Sequence, residues 1–176
     1  MMNLLFNPNG RIDQPTYWRA VLILFVASTV VTVLSTYVSG IIGLLSFVVM
    51  WCWIAVHAKR FHDNGKTGWL QLFVILFAWL VLYVLQLFLA PLVGGDIEAA
   101  SSAMSDALSG RSPDFQAFFS AAREAAKASM VPEIISTLIA TGIIGLVMSL
   151  FKTDPNDNVH GPGPAGSGFD FTPSAN

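Results

Sequence analysis

The sequence predicts an all-α, polytopic membrane protein: four transmembrane helices, with an extracytoplasmic helical insert between the third and the fourth. Composition is the first reason. Of 176 residues 54% are hydrophobic and only 11% are charged, whereas a soluble domain carries roughly 25% charged residues to wet its surface. The second reason is the length of the uncharged runs, since Ala20 to Val56 holds 37 consecutive residues without Asp, Glu, Lys or Arg. The third is that folding such runs into a soluble bundle would leave almost no amphipathic outer face.

At 1.5 Å per residue the first run far exceeds the ~30 Å hydrocarbon core of a bilayer, so it must supply two helices rather than one. The natural break is Ser39-Gly40, where glycine allows turn conformations and serine bonds to nearby backbone. This places the first span at 18 to 37 and the second at 41 to 57. Arg11 and Arg19 ahead of an apolar stretch have the outline of a signal peptide, but the stretch is too long for a signal core and is expected to be retained. A third run goes from Trp69 to Gly95, ended by Pro91 and Gly94-Gly95; the fourth, Ile134 to Phe151, lies between Glu133 and Lys152. Its 18 residues stand at the lower edge of spanning length.

The insert, 94 to 133, predicts two short helices at about 96 to 109 and 113 to 129. Gly110 stops the first, and Ser112-Pro113 supplies a cap and a first-turn proline for the second. Phe115, Phe118, Phe119, Ala122 and Ala126 make an apolar stripe on the second, a face to bury against the bundle or the outer membrane surface. The organisation is then one membrane domain over 1 to 151 and a Gly/Pro-rich cytoplasmic tail over 152 to 176. From Asp154 onward the tail has four prolines and four glycines in 23 residues, too little apolar material to fold alone.

Charge placement gives the orientation. Arg11, Arg19, Lys59, Arg60, Lys66 and Lys152, six of the nine basic residues, fall on the side of the termini. Arg111, Arg123 and Lys127 fall on the other side, among six acidic residues. The positive-inside rule puts both termini in the cytoplasm. Tyr17, Trp18, Trp51, Trp53 and Trp69 lie at the same ends and suggest an interfacial belt.

Several function classes lose support. The net charge of -2 offers no basic face for nucleic acid. The single cysteine, Cys52, cannot form an intrachain disulfide and reads as a small buried apolar side chain. Apart from Arg19 and His57 at their cytoplasmic ends, no Asp, Glu, Lys, Arg or His falls within the predicted spans, which counts against ion-coupled transport and intramembrane hydrolysis. No cofactor is implied. In the spans, Ser28, Thr32, Ser35, Thr36 and Ser39 form a polar stripe, while Thr141, Gly145 and Ser149 recur every fourth residue. Small residues at that spacing let helices approach closely. Gln86 shares a face with Trp79 and Tyr83 and is expected to bond to a neighbouring helix.

The densest polar cluster is the loop after the second span: His57, Lys59, Arg60, His62, Asp63, Asn64, Lys66 and Thr67. Asp63-Asn64-Gly65 is a turn signal, and its simplest use is an interfacial hairpin in which Asp63 pairs with Arg11 or Arg60 and the cations meet anionic lipid heads. A sharper alternative is a phosphate site with Arg11, Arg60 and Lys66 converging and Gly65 and Gly68 allowing close backbone approach. A metal site from His57, His62 and Asp63 has suitable ligand types but lacks helical i, i+4 spacing.

Three segments carry a family likeness: FNPNGRIDQPTYW (Phe6 to Trp18), KRFHDNGKTGW (Lys59 to Trp69) and NVHGPGP (Asn158 to Pro164). In this order around four spans they resemble the signatures of the DUF805 family of small bacterial inner-membrane proteins, an uncharacterised family. The resemblance covers the chain apart from the insert, which is longer than the usual connection. It implies a cytoplasmic-face cluster of Gly10, Arg11, Tyr17, Trp18, Arg60, His62, Asp63, Gly65, Lys66, Gly68, Trp69, Asn158, Gly161 and Pro162, with the tail motif folded back against Arg11 and the 57 to 68 loop. It implies no activity. The expectation is a non-enzymatic structural or interaction protein of the inner membrane whose partners are the lipid bilayer and a second copy or another membrane protein. The alternative is a small oligomeric transport or ligand-binding unit with the Ser/Thr stripe lining its path.

Overall fold

The structure is a computed structural model that describes residues 2–93, 102, 105–106 and 115–163. Every regular element among them is helical. A short α1 (Met2–Leu5) precedes α2 (Gln14–Tyr37), α3 (Leu45–Asp63), α4 (Gln71–Val93) and α5 (Phe115–Ser149). Four stretches are long and apolar enough to cross a membrane: Gln14–Tyr37, Gly40–Asp63, Gly68–Leu89 and Ala122–Ser149. The protein is thus polytopic and all-helical, as its composition requires.

Local chemistry explains where the helices begin and end. Asp13 caps α2, its Oδ1 accepting the Thr16 N–H at 3.0 Å, and Pro15 occupies the first turn, where its missing N–H loses nothing. The expected break after α2 is present: Ser39 is extended, and a 3-10 turn over Gly40–Leu44 leads into α3. A second 3-10 turn, Gly68–Leu70, leads into α4, with the Thr67 hydroxyl accepting the Trp69 N–H.

Three boundaries differ from the sequence reading. Instead of ending at 57, α3 continues to Asp63, so Lys59, Arg60, His62 and Asp63 are helical rather than loop residues, and an ionisable side chain, His57, stands well inside the spanning helix rather than at its end. The extension persists because its polar side chains find partners inside the protein, and because cations suit a helix C-terminus. Pro91 lies inside α4, which runs on to Val93. The expected second insert helix and the fourth span are one continuous α5 of 35 residues through Pro132; the first expected insert helix, with Gly110, Ser112 and Pro113, lies outside the described residues. Proline removes one helical hydrogen bond, a loss that burial against neighbouring helices tolerates. Arg123 anchors the extension, donating through Nε to the Thr36 carbonyl at 2.9 Å and through Nη2 to the Tyr37 carbonyl at 2.7 Å. Those carbonyls belong to the last turn of α2, where helical partners run out. Phe119 of the predicted apolar stripe is 65% exposed.

The core lies among Tyr17, Ala20, Val21 and Leu24 of α2, Cys52, Val56 and Phe61 of α3, and Ile144 and Met148 of α5. Peripheral α4 packs mainly on α5 and little on α3, leaving Phe73, Leu76, Trp79, Leu80 and Phe88 exposed. In a bilayer these meet acyl chains, which are as apolar as they are.

Candidate functional site: a buried charge clasp

At the end of the bundle that carries the N-terminal segment and the tail, three stretches distant in sequence meet at Asp63. Its Oδ2 accepts from Arg60 Nη1 at 2.5 Å and from the Thr153 hydroxyl at 2.7 Å. Its Oδ1 accepts from Arg11 Nε at 3.4 Å and Nη2 at 3.3 Å. The Asp63 side chain is 3% exposed, and those of Arg60 and Arg11 are 1% and 6%. The sequence reading offered Asp63 one of the two arginines; the fold gives it both.

Two guanidinium groups against one carboxylate leave an excess positive charge in a desolvated place, and backbone carbonyls offset it. Arg60 Nη2 donates to the Phe151 carbonyl at 2.6 Å. Arg11 donates to the carbonyls of Asp63 at 3.2 Å, Asn156 at 2.8 Å and Gly161 at 3.3 Å, and also to that of Asp154. Charge-assisted bonds of this kind are roughly twice as strong as neutral ones. Arg60 Nε is buried without a partner.

The tail therefore does fold back. The Asp154 N–H donates to the Asp63 carbonyl at 2.9 Å, an antiparallel bridge pairs Asn158 with Gly161, and Asn158 Nδ2 donates to the His62 carbonyl at 3.1 Å. Asn64 reaches the Lys152 carbonyl. The His160 ring stacks on His62 with centroids 3.8 Å apart and planes at 6°, while His62 Nδ1 faces the Gly10 carbonyl at 3.2 Å. Because a carbonyl only accepts, Nδ1 carries the proton there. Gly65 turns the chain with φ of +68°, a conformation that side chains with a Cβ avoid. At Gly68 a Cβ would stand 2.8 Å from His62 Nε2, so this close approach requires glycine.

Tyr17 and Trp18 lie deeper, on α2. The Tyr17 hydroxyl bonds His57 Nε2 at 3.3 Å, and His57 Nδ1 bonds the Trp53 carbonyl at 2.8 Å. With Nδ1 donating to a carbonyl, Nε2 must accept, so both ring nitrogens of a neutral imidazole are occupied. Trp18 lies across Gly145, where an added Cβ would come within 2.4 Å of the indole, and its Nε1 donates to Ser149 at 3.0 Å. Of the five aromatics expected in a belt, Trp51 and Trp69 are exposed, but Tyr17 is fully buried and Trp53 stacks on His57. Trp51 donates to the Phe6 carbonyl, and Lys59 Nζ donates to the carbonyls of Asn3 and Leu4, so α1 is tied to α3.

Not every residue of the expected cluster joins it. Trp69 is 78% exposed, Pro162 is exposed, and Lys66 sits outside with its ammonium 4.7 Å from the Phe151 ring centroid. The convergence of Arg11, Arg60 and Lys66 on a phosphate is therefore not formed, since both arginines turn onto protein acceptors. Nor do His57, His62 and Asp63 gather: the two histidines have separate partners, and no three metal-ligating side chains come together among the described residues. Sequence reasoning missed Thr153, Asp154 and the Trp18–Gly145 contact; the every-fourth-residue pattern ending at Ser149 was the available signal for the last.

No curated protein and no solved structure matches this chain. A family model does, that of DUF805, described as a protein of unknown function, over residues 5–162. That span contains all three meeting segments of the clasp and most of the chain: the protein belongs to the DUF805 family.

Proposed function

We propose that this is a non-enzymatic structural or interaction protein of the bacterial inner membrane, both termini cytoplasmic, whose Arg11–Asp63–Arg60 clasp fastens the N-terminal segment and the tail into one rigid face. The observation that carries the reading is that, Arg60 Nε apart, the buried guanidinium nitrogens of Arg11 and Arg60 are occupied by acceptors of the chain itself. A catalytic or anion-binding cluster needs donors free to meet a ligand. Here both the tail carbonyls and the Asp63 carboxylate would have to be withdrawn to free them. The face so built, set among the basic residues Arg19, Lys66 and Lys152, is suited to anionic lipid heads and to a membrane protein or second copy of the chain.

Inorganic phosphate tests the clasp against an anion site. It should leave the thermal midpoint of the purified protein unchanged, whereas a phosphate-specific rise, absent with chloride at equal ionic strength, would make the cluster a binding site. Orientation is tested with Asn7→Cys in a Cys52→Ala background: an impermeant maleimide should label it only after lysis. Labelling in intact cells would reverse the topology.

A further inference from the structure

Between α2, α3, α4 and α5 the bundle does not close. A partly open cavity of about 280 Å³ extends from His57 and Gln71 at the clasp end to Ser46 and Leu82 further in. His57 lies eleven helical steps beyond Ser46 along α3, which makes the cavity ~16 Å long. Its walls are mostly apolar, with a few hydroxyls such as Thr137 and Thr141.

The polar groups at its clasp end divide into occupied and unoccupied. Ser28 Oγ donates to the Leu24 carbonyl at 2.8 Å and accepts from Trp53 Nε1 at 3.3 Å. His57 has both nitrogens bonded, as described above. Gln71 is the exception: it is 5% exposed, and its Oε1 is buried with no hydrogen-bond partner. An unpaired buried acceptor is destabilising, so such groups ordinarily have a donor. No Asp, Glu, Lys or Arg lines the cavity, and a charged head group brought there would be desolvated without compensation.

We infer that this cavity binds a neutral single-chain amphiphile, its hydroxyl donating to Gln71 Oε1 once the carboxamide rotates toward the cavity, and its chain lying along α3 and α4 toward Ser46 and Leu82. The volume, at the lower edge of the usual ligand range of ~300–1,000 Å³, fits one chain rather than two. This site is separate from the clasp and does not depend on the role proposed for it.

The test uses the full chain in lipid nanodiscs, with bromoundecanol as a quencher of Trp53 and Trp79, both of which line the cavity. Quenching should saturate, and undecanol should displace the probe at about fivefold lower concentration than undecyl methyl ether, as expected for one net hydrogen bond. In Gln71→Leu the alcohol and the ether should compete equally. Quenching that rises without saturation, as for bulk partitioning, would overturn the proposal, and so would equal competition by alcohol and ether in the unsubstituted protein. That comparison needs no variant, so poor folding of Gln71→Leu would not remove the test.

Discussion

Replacing Asp63 by Asn removes one charge and almost no volume, which isolates the electrostatics of the clasp. The Asp63 carboxylate accepts four hydrogen bonds, three from arginines and one from Thr153. In the variant, two guanidinium groups with 1% and 6% exposed side chains keep their charges but lose their counter-ion. Breaking one side of a buried ion pair destabilises by ~3–5 kcal/mol. The carbonyls of Phe151, Asn156 and Gly161 remain as acceptors, so we expect the lower end, ~3 kcal/mol, still a large fraction of a total of ~5–15 kcal/mol. The assay is reversible unfolding in mixed micelles followed by tryptophan fluorescence, for Asp63→Asn, Arg60→Met and the double variant. The double variant should be less destabilised than the sum of the two singles by more than ~1 kcal/mol, because the pair is lost together. An Asp63→Asn protein within ~0.5 kcal/mol of the unsubstituted chain would refute the clasp.

Three further outcomes follow from the same geometry. Gly145→Ala should destabilise by ~1–3 kcal/mol through overpacking against Trp18, and Trp18→Phe should recover part of that loss; an unchanged thermal midpoint for Gly145→Ala would contradict the contact. Truncation after Thr153 removes the Asp154, Asn156 and Gly161 carbonyls from Arg11, so tryptic cleavage at Arg11 should accelerate by at least about tenfold, the equivalent of one charge-assisted hydrogen bond; equal cleavage rates would show that the tail does not hold the N-terminal segment. Tyr17→Phe leaves His57 Nε2 without its donor and should cost ~1–3 kcal/mol in the same unfolding assay, whereas neutrality would mean that the pair contributes nothing.

Much of the clasp was visible before the structure as three polar motifs on one side of the membrane. Asp63 with a basic partner follows from having a carboxylate and two arginines, and the fold-back of the tail, observed as far as Gly163, was what the family resemblance implied. What motif reading missed is that the donors would be turned inward. Lys66 and Trp69 sit in the same motif as Asp63, yet one rests outside over Phe151 and the other is exposed. Side-chain direction depends on where α3 stops, and its continuation to Asp63 rests on partners some 90 residues away. The polar stripe was similarly half legible: Ser28 and Thr32 do line a cavity, but the carboxamide beside them is that of Gln71 at the start of α4, a residue that no sequence pattern singled out.

Composition and run length alone settle that four stretches cross a bilayer as helices, because a chain with so few charges cannot be wetted and an unpaired backbone cannot enter lipid. The break at Ser39-Gly40 and the cap at Asp13 are likewise local matters, decided by residues within one turn. Which helices touch is not local. The seating of Trp18 on Gly145, the pairing of both arginines with one aspartate and the gap that leaves Gln71 unpaired arise from side chains far apart in the chain meeting at ångström distances. Apolar helices have no hydrophobic preference for one another over lipid, so only the packed shapes and buried hydrogen bonds of the assembled bundle could choose among the arrangements.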